Sequence, residues 1–248
     1  MPATRPLASP RLRRIAQRPA GGGSGGALAG GAAAHGAGGA LATDAGGDPE
    51  RCELCNAPLP TGHRHLLDLR SRELLCSCQA CSLLFDRDAA GGGHYRLVPT
   101  RRWRLNDFEL GDVLWEQLRI PVDMAFFFFS SAHERVVAFY PSPMGPTESR
   151  LELPAWEELE AANPVLAELE PDVEALLVNR ARGARRQWLV PIEDCYRLVG
   201  VIRTRWRGFT GGTEVWIEIE RFFAELDDAA RPPQPHRTTD QTALAQRS

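Results

Sequence analysis

Lysine is absent from this chain of 248 residues, and all 29 basic residues are arginines. The absence excludes mechanisms that need a lysine amine, such as Schiff-base catalysis, and it excludes the lysine-containing phosphate loop of nucleotide-binding proteins. The formal net charge is only -3, whereas a protein that binds nucleic acid usually carries a strongly basic face. We therefore expect no nucleic-acid partner.

Long apolar runs and established catalytic motifs are also missing. No stretch approaches the roughly 18–20 apolar residues that a membrane-spanning helix needs, so we expect no membrane partner. HExxH and Walker motifs are absent, and the patterns GxSxG and GxGxxG match only within the glycine-rich run Gly21–Gly26. That run predicts neither the strand nor the helix that these two motifs need to carry their chemistry. Cys195 lies in an apolar stripe, which favours a buried thiol over a nucleophile. We predict no catalytic residues and favour a non-enzymatic protein.

The two ends of the chain differ in composition from its middle. Residues 1–50 are mostly Gly and Ala punctuated by Arg, and residues 228–248 are rich in Pro and polar side chains. Such segments bury too little apolar surface to offset the entropy lost on ordering, so we predict two disordered tails. The Gly-rich stretch after Arg13 and Arg14 does not resemble the apolar core of a secretory signal. Cytoplasmic localisation follows, and there thiols stay reduced.

Five of the six cysteines fall within residues 52–81. Cys52 and Cys55 form one CxxC pair, and Cys78 and Cys81 form a second pair after 22 intervening residues. This is close to the zinc pattern of two CxxC pairs separated by roughly 15–20 residues, because each CxxC turn aims two thiolates at one point. Asn56 suits the left-handed turn that ends such a knuckle. These four thiolates are predicted to bind one metal ion, most simply structural zinc.

Three alternatives to zinc remain open from the sequence. A rubredoxin-like iron site uses the same four cysteines, and the sequence does not separate iron from zinc. Cys76 is a spare cysteine that keeps an iron–sulfur cluster possible, and a disulfide set would conflict with the inferred compartment. His63 and His65 offer further ligands, although four thiolates already close the shell, so we expect both histidines on an exposed polar loop.

The fold class predicted from periodicity is α+β. A small zinc-ribbon or rubredoxin-like knuckle module is expected over residues 51–98, with a hairpin between the two CxxC pairs. An α+β domain is expected over residues 99–227, containing a buried phenylalanine-rich hairpin from Met124 and two later strands near residues 174–190. Helices are expected after the caps Asp107 and Thr213, and from Ile192 to Trp206.

Several longer runs resemble a known family. They include Cys52-Glu-Leu-Cys55, the run His63-Arg-His-Leu-Leu-Asp-Leu, Ile120-Pro-Val-Asp-Met-Ala-Phe-Phe-Phe, and Cys195-Tyr-Arg-Leu-Val-Gly. Over roughly residues 51–226 the chain resembles the actinobacterial family DUF5947, whose genes tend to lie beside those of [NiFe]-hydrogenases and their maturation factors. The resemblance implies an accessory role in hydrogenase assembly or electron delivery, with a hydrogenase subunit or maturation factor as protein partner. It implies no catalytic residues.

Overall fold

The structure is a computed structural model, and it describes residues 50–85, 93–150, 153–208 and 211–233. Within these ranges the chain is α+β, as predicted, with nine strands in two antiparallel sheets. The strands are β1 (Arg64–Asp68), β2 (Glu73–Ser77), β3 (Tyr95–Leu97), β4 (Trp103–Arg104), β5 (Met124–Ser130), β6 (Arg135–Ser142), β7 (Gly145–Ser149), β8 (Glu174–Asn179) and β9 (Arg186–Pro191). The helices are α1 (Gln79–Leu84), α2 (Asp112–Gln117), α3 (Leu153–Ala162), α4 (Ile192–Arg205) and α5 (Gly212–Ala229), with short 3-10 helices at Pro164–Glu168 and Ala181–Gly183.

The smaller sheet has three strands in the order β2-β1-β3. The predicted hairpin between the CxxC pairs is its β1–β2 unit, in which His65 pairs with Cys76 and Leu67 with Leu74. The turn is closed by Asp68, whose carboxylate accepts hydrogen bonds from two backbone amides of the turn. Arg72 takes the left-handed conformation, with φ 57°, and returns the chain into β2. The hairpin prediction is therefore confirmed.

The larger sheet has six strands in the order β4-β9-β8-β5-β6-β7. Its central strand β5 carries the phenylalanine run, and alternation along the strand sends Phe126 and Phe128 to one face and Phe127 to the other. Both faces are covered by helices, so all three rings are almost fully buried. A run of apolar residues without polar alternation indicates a strand buried on both faces. The predicted hairpin from Met124 is confirmed as β5 and β6.

Helices pack on each face of the larger sheet. Helices α4 and α5 cover the face of Phe126, and α2 and α3 cover the face of Phe127. The predicted caps were wrong, because α2 begins after Gly111 and α5 after Gly211, with no side-chain cap at either. Gly211 has φ 85°, and a Cβ there would lie 2.8 Å from the Val215 side chain. A glycine is needed at that position for both reasons.

The two sheets share one hydrophobic cluster. Leu67 and Leu74 of the smaller sheet and Val98, directly after β3, belong to the same buried cluster as α4, α5 and one face of the larger sheet. Arg72 also crosses between the sheets, donating a hydrogen bond to Ser130 Oγ at 3.0 Å. The division at residue 98 into module and domain stays a prediction, but the module rests against the domain through an apolar contact.

The described structure extends past residue 228, where the second disordered tail was predicted to begin. Helix α5 runs to Ala229, and Arg231 forms a bridge with Trp103 at the edge of the larger sheet. The ordered structure thus reaches into the segment 228–248 that was predicted to be a tail. Residues 1–49 and 234–248 lie outside the described residues. Among the helices of the described chain, none is long and apolar enough to cross a membrane.

Candidate metal centre

The first cysteine pair lies in a tight turn that precedes β1. The Cys52 amide donates to Ala57 O and the Asn56 amide donates to Cys52 O, both at 2.8 Å. Asn56 has φ 62°, the left-handed conformation predicted for the residue after the second thiol. Cys52 is 2% exposed, whereas Cys55 lies at the surface. The turn therefore directs one sulfur inward and leaves the other at the edge of the site.

The second cysteine pair begins a helix. Cys78 is the N-cap of α1, and its Sγ accepts a hydrogen bond from the Cys81 amide at 3.4 Å. Ser82 lies within this helix, and its hydroxyl donates a hydrogen bond to Gln79 O. Because Ser82 is helical, no residue with left-handed backbone conformation is needed after the second cysteine pair. A zinc ribbon with two equivalent knuckle turns is thus not confirmed. The site combines one knuckle turn, a hairpin and the first turn of a helix.

The four predicted thiols meet at one point. The sulfurs of Cys52, Cys55, Cys78 and Cys81 all lie within 4.8 Å of one another, and Sγ of Cys55 is 3.6 Å from Sγ of Cys78. A tetrahedron with Zn–S bonds of about 2.3 Å has sulfurs about 3.8 Å apart. A disulfide would require about 2.05 Å, and all four cysteines are free. The arrangement is one that could hold a metal ion.

Cys52, Cys55 and Cys81 differ in how readily their thiols ionise. Burial raises the pKa of Cys52, but backbone amides of Cys78 and Cys55 donate to its sulfur, and the result is a pKa lowered to about 6. The Ala57 amide lowers the pKa of Cys55, yet the neighbouring sulfurs raise it more. Burial and then the other sulfurs raise the pKa of Cys81 well above its usual range. The Cys52 thiolate therefore forms easily. Four thiolates repel one another at these distances, so a bound cation is required to keep all four deprotonated.

Cys76 does not join the four thiols. It groups instead with His63 and His65, whose ligand atoms lie within 4.8 Å of its sulfur and of each other. The prediction that both histidines lie exposed on a polar loop is wrong, because the His63 side chain is only 1% exposed and that of His65, in β1, only 15%. The spacing of two residues between His63 and His65 indicates that both side chains lie on one face of a strand. Only the register of β1 with β2 shows that Cys76 lies on that face as well.

These three residues carry displaced pKa values. Contact with the Cys76 thiol raises the pKa of His63, while burial opposes the rise. Burial lowers the pKa of His65, but Cys76 and Glu193 outweigh it and raise the pKa to about 9. Burial raises the pKa of Cys76, yet the two imidazoles leave it lowered. Glu193 lies beside this group and contacts His65. Burial raises the pKa of Glu193, but His65 outweighs that effect and leaves it lowered.

Cys195 is the sixth cysteine, and it belongs to neither group of metal-ligating side chains. It is fully buried in the cluster beneath α4, and burial raises the pKa of its thiol well above the usual range. A thiol that stays protonated is a poor nucleophile and a poor metal ligand. The expectation of a buried thiol at this position is confirmed.

Comparisons with known proteins give a family and no close relative. No curated protein and no solved structure matches the chain. Residues 51–230 match the profile of a family described as a family of unknown function, DUF5947. The match spans more than half of the chain and begins one residue before Cys52, so both CxxC pairs lie within it. The chain therefore belongs to the DUF5947 family of unknown function.

Proposed function

We propose that Cys52, Cys55, Cys78 and Cys81 bind one structural Zn²⁺ and that the protein is a non-enzymatic accessory protein of the cytoplasm. The observation that carries the metal proposal is the approach of four free sulfurs within 4.8 Å. Four thiolates close the tetrahedral shell of zinc and leave no position for substrate, which is the arrangement of structural rather than catalytic sites.

The surroundings of the four sulfurs support a structural role. Cys52 and Cys81 pack with Leu59 in a small apolar cluster of their own. Among the described residues, Leu54, Ala57, Phe85 and two further cysteines lie against it. So few apolar contacts supply little folding free energy, and a metal ion that ties the turn, the hairpin and the helix together would supply the rest. The metal would thereby hold β1 and β2 in place against the larger sheet.

The accessory role is a separate step of the proposal. The larger domain would bind a protein partner, and the candidate partner is a [NiFe]-hydrogenase subunit or maturation factor. This part rests on the gene neighbourhood that the family resemblance implies. A strain that lacks the gene is expected to contain unprocessed or inactive hydrogenase, and the same strain should recover when the gene is restored. A fully active hydrogenase in the deletion strain would end this part of the proposal.

Metal analysis of protein purified from its native host tests the metal itself. We expect a colourless protein with zinc in the position of the four thiolates, and a Cys52→Ser/Cys81→Ser variant that has lost this zinc. The alternative is iron in a rubredoxin-like electron carrier. It would give a red protein with thiolate-to-iron absorption and reversible reduction, and that result would replace the zinc proposal.

A further inference from the structure

A second cluster of metal-ligating side chains lies on the three-stranded sheet, separate from the four thiols. His65 of β1 and Cys76 of β2 are direct partners in the antiparallel register, so their side chains leave the same face of the sheet. His63 stands two residues before His65, and the two rings lie 4.8 Å apart between centroids. The strand register thus brings two imidazoles and one thiol to one point.

Each histidine is oriented through its Nδ1 atom. Nδ1 of His63 lies 3.0 Å from the carbonyl oxygen of Pro60, and Nδ1 of His65 lies 2.7 Å from Oε2 of Glu193. A carbonyl and a carboxylate only accept hydrogen bonds, so Nδ1 carries the proton in both rings. In the neutral rings the lone pair is then on Nε2. Histidine ligands of metal ions almost always donate the other ring N–H in this way to a carbonyl or carboxylate.

The lack of a hydrogen-bond partner for the buried Nε2 atom of His63, among the described residues, points to a ligand at this position. The side chain is 1% exposed, and this buried nitrogen has no hydrogen-bond partner among the described residues. A buried polar atom that makes no hydrogen bond destabilises the folded state. The destabilisation disappears if the nitrogen coordinates an ion that also contacts His65 and Cys76.

We propose that His63, His65 and Cys76 form a second metal site, which takes Zn²⁺ or a similar divalent transition ion through two Nε2 atoms and one thiolate. Imidazole and thiolate are the ligands that suit such ions. Three protein ligands leave the fourth tetrahedral position for water or for a ligand from outside the chain. The site is therefore open and exchangeable, in contrast to a closed set of four thiolates. It stands whether or not the four thiols bind metal.

Glu193 places this site at the junction of the two sheets. It lies in the first turn of α4, on the larger domain, and its neighbour Asp194 pairs with Arg102 at 2.6 Å. Glu193 is a positioning residue, because it touches His65 rather than the ion. A Glu193→Gln variant should weaken metal binding at this site by about 10–100-fold, the usual effect of losing such a partner, and leave the four-thiolate site unchanged.

Zinc stoichiometry on the full chain tests the proposal. Protein stripped with chelator and then titrated with Zn²⁺ alone should bind two ions per chain. Cys76→Ser and His63→Gln should each bind one ion fewer than the wild type, while His94→Gln, a histidine outside the cluster, should match the wild type. If Cys76→Ser and His63→Gln both bind as many ions as the wild type, the second site does not exist. A wild type with one ion and a Cys76→Ser variant with none would uphold this site and reject the four-thiolate one.

Two further measurements do not depend on the folding of any variant. Co²⁺ bound to wild-type protein at the second site should show charge transfer from a single thiolate, weaker than that of a four-thiolate site. Zn²⁺ should also slow alkylation of Cys76 by iodoacetamide, measured on the Cys76 peptide by mass spectrometry, at least tenfold. Equal alkylation rates with and without Zn²⁺ would overturn the proposal and favour a Cys76–His65 thiolate–imidazolium pair, a different chemistry.

Discussion

The two sheets of this protein are stabilised by different means. The six-stranded sheet buries large side chains on both faces, among them Phe126, Phe127 and Trp188, all under 2% exposed. In the three-stranded sheet, Leu67 and Leu74 pack against the larger domain, and His65 and Cys76 lie on the same face of the sheet as these two leucines. Packing alone accounts for the larger sheet, whereas we expect the smaller one, which buries fewer and smaller side chains, to depend more on added cross-links. The difference predicts that metal removal and core truncation affect different parts of the chain.

Breaking the proposed four-thiolate metal site should give the largest effect. Cys52→Ser removes the most buried of the four sulfurs, and structural zinc contributes about 10–16 kcal/mol of apparent binding free energy in small domains. We expect residues 50–85 to lose protection from hydrogen exchange while β5, β8 and β9 keep theirs. Exchange measured by mass spectrometry checks this.

The control for that experiment is Cys195→Ala, which removes a cysteine that belongs to neither group of metal-ligating side chains. It should leave the metal content and the exchange of residues 50–85 unchanged. Full protection of the module in Cys52→Ser would contradict the proposed dependence on metal.

Truncating the core of the larger sheet should give the next largest effect. Phe127 is fully buried and stacks on Trp156 at 5.4 Å between ring centroids, on the face that the smaller sheet does not touch. Phe127→Ala should lower the free energy of unfolding by about 3–5 kcal/mol, because it leaves a cavity. Chemical denaturation followed by tryptophan fluorescence measures the loss.

The metal content of folded Phe127→Ala should equal that of the wild type, because no described residue of the module belongs to the cluster around Phe127. Phe127→Leu is the milder variant and should show a smaller loss if the alanine variant does not fold. Loss of metal in either folded variant would show that metal binding in the module depends on the core of the larger sheet, contrary to what the packing indicates.

The smallest effect is expected at the knuckle turn. Asn56 holds the left-handed conformation that ends the first CxxC pair, and a residue with an ordinary side chain pays about 1–2 kcal/mol there. Asn56→Ala should weaken Zn²⁺ binding at the four thiolates by about tenfold, measured by competition with a chelator. Asn56→Gly should bind at least as tightly as the wild type, since glycine adopts this conformation freely. Equal affinity of the alanine and glycine variants would remove the argument for backbone strain at this turn.

Local sequence determined much of the fold. The hairpin between the cysteine pairs, the phenylalanine-rich strand β5, the strands β8 and β9 and the helix α4 all follow from periodicity and turn chemistry over a few residues. The two helix starts that were placed wrongly, at Asp107 and Thr213, failed because a polar residue before an apolar run is only one of several ways to begin a helix. Glycines at 111 and 211 take that position instead.

The four cysteines at Cys52, Cys55, Cys78 and Cys81 were named by the sequence alone, because two CxxC pairs at this separation carry their geometry within each pair. The helix that carries the second pair and the burial of His63 and His65 came only from the tertiary structure. Burial of the two histidines depends on the register of β1 with β2 and on Glu193, which lies 128 residues after His65 in the chain. A spacing motif depends on the geometry of a few consecutive residues. It therefore carries no information about which distant carboxylate, here Glu193, will contact a strand residue in the folded chain.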